Sequence, residues 1–248
     1  MRKILATLLF LSLITHPLCA LQLSELLTDI RKRINDSSQD TALQYWSDTE
    51  LKRKINIIQD EIVAYTRAIE SRHSISTTEG KREYALPDDL LVLKRVAYSI
   101  MTSSNVDSGK YKRLERTSIA ELDVQLPLWE TSGEGLPTKY YRRGGAIGLQ
   151  PAPSSVYHST YPVLRIDYIA NPYDLSVSTD VPFNGLKYMY PYHRAIIFGV
   201  VAECLWERQL YTQAMEMDKT YWTLMQTIKA NLENEIDKFI GVTVYPRE

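Results

Sequence analysis

The fold of the first part of the chain is decided by residues 47–70, which read SDTELKRKINIIQDEIVAYTRAIE. Apolar residues recur here at steps of three or four, the period of an α-helix. They are Leu51, Ile55, Ile58, Ile62, Tyr65 and Ile69. Ser47 is a good N-cap, and Glu50 stands three positions further on, where it completes a capping box. The pattern predicts an amphipathic helix over residues 48–70.

Helical periodicity also occurs on both sides of the middle of the chain. Residues 23–35 place their leucines and isoleucines on one face. Residues 192–209 are apolar on most sides, which predicts a core helix, and Pro191 would be its first residue. Residues 211–239 return to a spacing of three or four. These segments predict a helical bundle built from residues 21–72 and 188–240.

The central part of the chain has a different composition. It is rich in Ile, Val, Thr and Tyr, and Pro, Gly, Asn and Ser interrupt it. It predicts strands, a hairpin that turns at Gly144-Gly145, a short helix and a loop. The strands are expected at 73–87, 90–102, 110–117, 139–143, 146–150 and 163–170, the helix at 118–124 and the loop at 171–187. The fold class is therefore α+β, with a β-rich insertion over residues 73–187 and a C-terminal tail over 241–248.

Composition narrows the class of function. The 248 residues carry 29 Lys and Arg against 30 Asp and Glu, so a protein that coats nucleic acid is disfavoured. Two cysteines exclude a disulfide scaffold, and four scattered histidines disfavour a histidine-built metal site. The 17 tyrosines against 4 phenylalanines suit a protein that packs against other surfaces, because tyrosine buries a ring while its hydroxyl stays hydrated.

Residues 1–20 resemble a secretory signal peptide. Arg2 and Lys3 precede an apolar run over 4–14, and the segment closes at Ala20. The run is too short to span a bilayer. Cleavage after Ala20 is one prediction. Retention as an apolar arm, or a start site assigned too early, are the alternatives.

A search for catalytic constellations predicts no catalytic residue, no cofactor and no metal site. The glycines around Gly144-Gly145 lack the spacing of a dinucleotide fingerprint. Asp88-Asp89 follows a proline, which favours a turn over an acid pair. His193 stands among aromatic residues, and we expect its ring to pack on the β insertion rather than to bind a ligand. Glu203 lies in an apolar helix, and we expect an arginine partner inside the fold or at a subunit contact.

Two groups of basic residues lie in the predicted strands: Lys110, Lys112, Arg113 and Arg116, then Lys139, Arg142 and Arg143. Basic residues beside aromatic rings can follow a nucleic-acid backbone. Because the whole chain is close to neutral, solvated strand faces are the favoured interpretation.

Four segments, taken together and in order, resemble the adaptor, or head–tail connector, proteins of tailed bacteriophages. They begin at Trp46-Ser47-Asp48, at Tyr84-Ala85-Leu86-Pro87, at Gly135-Leu136-Pro137 and at Leu164-Arg165-Ile166, and the similarity covers about residues 23–210. The signal-like start departs from the family, since adaptors assemble in the host cytoplasm.

The resemblance implies a virion structural protein that catalyses no reaction. Such a protein forms a ring, expected to be a homododecamer, that joins the portal to tail or nozzle proteins. DNA is expected to pass through the ring without sequence-specific binding, and no membrane is expected as a partner. Candidate subunit-interface residues are Glu203, Trp206, Arg208 and Trp222; candidate portal-docking residues are Val242, Val244, Tyr245 and Arg247. The alternatives are a secreted or periplasmic non-catalytic binding module and a periplasmic hydrolase.

Overall fold

A computed structural model describes residues 20–36, 38, 44–99, 111–154 and 163–240, with side chains up to Glu233. The protein mixes helices and sheets, so its class is α+β. Contacts divide it into two compact units. The helical unit contains the described residues up to Ala68 and from Pro172 onward, and the sheet unit spans Ile69–Asn171.

The α-helices of the described residues are α1 (Leu23–Arg33), α2 (Asp48–Thr66), α3 (Ile119–Gln125), α4 (His193–Glu207) and α5 (Tyr211–Ile240). The strands are β1 (Glu70–Ser76), β2 (Glu83–Ala85), β3 (Leu90–Ser99), β4 (Tyr111–Arg113), β5 (Glu115–Arg116), β6 (Glu134–Gly135), β7 (Lys139–Arg143), β8 (Ala146–Gln150), β9 (Ala152–Pro153) and β10 (Val163–Ala170).

The predicted capping box starts α2. The Ser47 hydroxyl accepts a hydrogen bond from the Glu50 amide at 3.2 Å, and the Ser47 amide donates to the Glu50 carboxylate at 2.9 Å. The predicted end at residue 70 is wrong, because the helix stops at Thr66. Arg67 takes a left-handed conformation with φ 56°, and its amide donates to the Val63 carbonyl at 2.8 Å. This closes the last turn and releases Ile69 from the helix.

α4 is the core of the helical unit, as its sequence predicts. Its residues from Ala195 to Leu205 are buried except Phe198 and Glu203. Gly199 lies where α4 meets α2 and α5, beside Ile58 and Tyr221. The prediction that Pro191 begins this helix is wrong, because Pro191 lies inside the 3-10 helix Lys187–Tyr192 and α4 starts at His193. A proline fits the tighter 3-10 turns that often precede an α-helix.

The sheet unit contains two four-stranded sheets, in the orders β1-β10-β3-β4 and β2-β8-β7-β5, with β6 and β9 as a separate pair. The predicted hairpin over 139–150 and the strand over 163–170 are confirmed. The continuous strand predicted over 73–87 is wrong, because a turn at Gly80 with φ 70° separates β1 from β2. The strand predicted over 110–117 is likewise divided, at the buried Leu114.

A small aromatic core lies in the sheet unit. Trp129 packs edge-on against Tyr141 with ring centroids 5.0 Å apart, and Leu122 of α3 completes the cluster. The Tyr141 ring lies over Gly148, its cross-strand partner, where a Cβ would stand only 2.0 Å from the ring. Burial and the hydrogen bond to the Glu83 carboxylate raise the pKa of Tyr141 to about 12.

Candidate interaction surface

An exposed apolar corner forms where α4 turns into α5. Trp206, Tyr211 and Met215 are 41, 54 and 62% exposed, and the Trp206 and Tyr211 ring centroids are 5.5 Å apart. The turn is short because Gln209 takes a left-handed conformation with φ 60°. Monomeric soluble proteins rarely leave clustered large apolar side chains in water, so this corner is a candidate interaction surface.

Arg208 directly follows the last residue of α4, two positions after the predicted Trp206. Its guanidinium stands 5.5 Å from the ring centroid of Tyr45, which is 63% exposed, and donates to the Ile34 carbonyl at 2.8 Å. Two of the predicted interface residues, Trp206 and Arg208, therefore both lie at the end of α4. We name the residues around this helix end the aromatic corner; its members are Tyr45, Trp206, Arg208, Leu210, Tyr211 and Met215.

Glu203 has a partner inside its own fold, and this partner is a lysine where an arginine was expected. Lys54 of α2 lies 3.4 Å from the Glu203 carboxylate and 2.5 Å from that of Glu207. The Lys54 ammonium also stands 5.2 Å from the ring centroid of Trp46. Burial alone would lower the pKa of Lys54, but the two carboxylates outweigh it, and the pKa is raised.

Trp222 belongs to a different aromatic group. It is 40% exposed and packs edge-on against Tyr65 and Tyr221 at centroid distances of 5.9 and 5.6 Å. It lies 11 residues beyond Tyr211, which corresponds to about 16 Å along α5. The four candidates at the predicted tail, Val242, Val244, Tyr245 and Arg247, lie outside the described residues.

His193 is buried at the start of α4 and serves packing. Its Nδ1 accepts a hydrogen bond from the Leu21 amide at 3.1 Å, and its ring contacts Phe183 and Tyr190. Phe183 lies inside the predicted insertion of residues 73–187, so the expected packing is found at that residue, although Phe183 itself belongs to the helical unit. Burial lowers the pKa of His193 to about 4, which keeps the imidazole neutral at physiological pH.

The acidic and basic residues singled out in the sequence do not form one common site. Asp88 and Asp89 form a turn before β3, and Asp89 accepts a hydrogen bond from the Tyr168 hydroxyl at 2.9 Å. Arg143 is paired with Glu83 and Glu130 at 3.0 and 2.8 Å. Within the described part of the chain, no three His, Cys, Asp or Glu residues are grouped so that they could hold a metal ion.

Sequence reasoning missed Tyr45, Tyr211 and Met215. A periodic pattern shows which face of a helix is apolar, but Tyr45 comes from a connection 148 positions before the start of α4. The one local signal was Leu210-Tyr211, two large apolar residues directly after a helix ends at a polar turn.

The exposed apolar residues around the end of α4 suit contact with other proteins. The chain belongs to the SU10 adaptor protein family, a phage adaptor family, and the family model matches residues 21–241. The resemblance read from the sequence is confirmed. Membership makes the protein a bacteriophage virion structural adaptor that contacts other virion proteins, in a family that is typically non-catalytic. No curated protein matches the chain. None of the described helices combines the length and the apolar content that a membrane span requires.

Proposed function

We propose that this chain forms a ring that joins the portal to the tail and continues the channel through which DNA passes. Family membership supports this role, since adaptors are virion components that bridge other virion proteins. The ring is a homododecamer, its partners are the portal and the tail or nozzle proteins, and assembly takes place in the host cytoplasm. DNA passes without sequence-specific contacts, which fits a nearly neutral chain.

The observation that carries this proposal is the aromatic corner. A closed ring needs two different surface patches that meet between neighbouring subunits. Interfaces concentrate their binding energy in a few aromatic and arginine residues, and the corner supplies Trp206 and Arg208. In this proposal the bundle of residues 21–72 and 188–240 forms the ring wall, Glu203 and Trp222 lie at its edges, and the β-rich residues 73–187 form an insertion.

The test is the particle mass of the purified chain, alone and with a portal protein. A single species of about twelve copies is expected. Trp206→Ser should shift this species towards smaller masses, because it removes an exposed anchor that the isolated fold does not need. Val124→Ser is the matched control, since Val124 is 82% exposed and lies in α3, away from the corner in sequence. A monomer that persists with portal present would contradict the proposal.

We further propose that residues 241–248 dock on the portal, with Tyr245 as anchor, Arg247 at the rim and Val242 and Val244 on one face of an added strand. Truncation after Ile240 should leave the fold intact and weaken portal binding by at least about tenfold, or about 1.4 kcal/mol. Unchanged binding would show that another surface docks.

A second candidate, an exported binding module, is favoured by the signal-like residues 1–20, which directly precede the family match. N-terminal sequencing of the protein from its native host separates the two proposals. A mature start at Leu21 would favour export, and a virion-associated chain that keeps residues 1–20 would exclude cleavage.

A further inference from the structure

Two clefts with many basic residues lie on the sheet unit. The first is about 460 Å³ in volume and the second about 470 Å³. They share Lys94, Arg95 and Arg113, so they are two parts of one depression along β3 and β4. We call this depression the basic cleft. Its other charged lining residues are Arg72, Arg165, Glu70 and Asp167 in the first part and Arg116 and Glu115 in the second.

Strand geometry explains why so many basic residues meet there. Arg72, Asp167 and Arg95 stand opposite one another on β1, β10 and β3, so their side chains share a face. Consecutive residues of a strand normally point to opposite faces, but β3 carries a bulge. Arg95 is paired with Asp167 while Leu93 is paired with Tyr168, which leaves Lys94 as the extra residue. A bulge re-aims a side chain, and Lys94 lines the cleft together with its neighbour Arg95.

The described residues neutralise only part of this charge. The cleft has six cationic and three anionic lining residues. Arg72 pairs with Asp167 at 2.9 Å, Arg165 lies 3.6 Å from the same carboxylate, and Lys94 pairs with Glu70. Arg95, Arg113 and Arg116 have no carboxylate within ion-pair distance among the residues that the structure describes.

Arg95 is the most informative of these residues. Its Nε is buried and has no hydrogen-bond acceptor among the described residues, and the same holds for the Nε of Arg165. A buried N–H without an acceptor is costly, because that donor has lost water without gaining a partner in the protein. The cleft is therefore arranged for an acidic group that comes from outside the chain.

We propose that the basic cleft binds an acidic peptide segment, with Asp or Glu carboxylates paired to Arg95 and Arg113. Arginine presents a planar fork of donors that matches a carboxylate in two parallel hydrogen bonds. A nucleic-acid backbone fits less well, since Glu70, Glu115 and Asp167 would repel a continuous row of phosphates. The sheet unit also carries 13 Lys and Arg against 12 Asp and Glu, so it lacks the surplus charge that attracts nucleic acid over a long surface.

The experiment is a fluorescence-anisotropy titration of a labelled, short glutamate-rich peptide with the full chain at low salt. A labelled duplex DNA is titrated in parallel. Saturable peptide binding that weakens as salt is added is expected, with weaker binding of the duplex. Because the chain is tested without portal or tail proteins, the result is independent of the proposed ring function.

The deciding variant is the double substitution Arg95→Gln and Arg113→Gln, which should weaken peptide binding at least about tenfold. Lys112→Gln is the matched control. It removes one positive charge from β4, as Arg113→Gln does, but Lys112 is not part of the cleft lining. Arg116→Gln, at an exposed position, tests the cleft if the double variant fails to fold. Absence of peptide binding, an equal effect of Lys112→Gln, or tighter binding of the duplex would overturn the proposal.

Discussion

Gly199 allows three helices of the helical unit to approach closely, and its substitution gives a sharp test of the packing. A Cβ added at Gly199 would stand 2.8 Å from Cγ2 of Ile58 on α2 and 3.1 Å from the Tyr221 ring on α5. Ile58 cannot move aside easily, because it is only 2% exposed and a β-branched residue in a helix is held in one rotamer.

The expected free-energy change is the sum of two opposing effects. Overpacking a core costs about 1–3 kcal/mol, while replacing glycine by alanine inside a helix gains about 1 kcal/mol. Gly199→Ala should therefore destabilise the protein by about 1 kcal/mol, although the substitution improves helix propensity. Urea unfolding followed by circular dichroism measures this change.

A double-mutant cycle isolates the contact. Ile58→Ala removes the nearest methyl group, so Gly199→Ala should become neutral or stabilising in that background, with a coupling energy of about 1–2 kcal/mol. Gly145→Ala is the control, because no atom lies within 4 Å of the added Cβ. If Gly199→Ala stabilised the parent chain, or had the same effect with and without Ile58, the proposed close packing would be refuted.

Three more predictions concern single residues. Gly148→Ala should destabilise the sheet unit by about 3 kcal/mol, since the Tyr141 ring must leave its place, and loss of near-ultraviolet dichroism would report this. The pKa of His193 is lowered from 6.5 to about 4, so between these two pH values the unfolded chain binds a proton at His193 and the native chain does not. The contribution of His193 to the free energy of unfolding is therefore fully present above pH 6.5 and is lost as the pH falls towards 4, by up to about 3 kcal/mol. In urea titrations at different pH values, His193→Gln should make the free energy of unfolding depend less on pH. Lys54→Met should cost only about 1–2 kcal/mol, because the two carboxylates it leaves behind are half-exposed and can hydrate, and a loss near 5 kcal/mol would contradict that reasoning.

The sequence predicts those elements whose signals are local. Ser47 and Glu50 are three residues apart, and α2 begins where their capping box requires. The strand over 163–170 is predicted correctly, and its end follows from the asparagine and proline that come directly after it. The end of α2 could not be predicted, since Arg67 has none of the freedom of glycine and takes its left-handed conformation without a residue that favours it.

The candidate surface was predictable only in part, because contacts between distant segments decide it. Trp206 and Arg208 lie two positions apart, so the sequence places both near the end of α4. Tyr45 reaches Arg208 only after α1, α2 and α4 have packed. The partner of Glu203 is a lysine 149 positions earlier in the chain, and no spacing rule connects them.

The register of β1 with β10 has a consequence for how the chain folds. Glu70 stands opposite Ile169, and the Ala170 amide donates to the Ile69 carbonyl at 2.9 Å, so the two ends of the sheet unit are held side by side. The helical unit must join residues as far apart as Leu21 and His193, 172 positions along the chain. If the sheet unit folds first, its long loop is already closed, and the entropy cost of bringing α2 to α4 falls by about 1.5 kcal/mol. Synthesis follows the same order, since residues 69–171 leave the ribosome before α4 and α5 exist. A substitution that slows folding of the sheet unit should therefore slow folding of the whole chain, even when the sequences of the helices are unchanged.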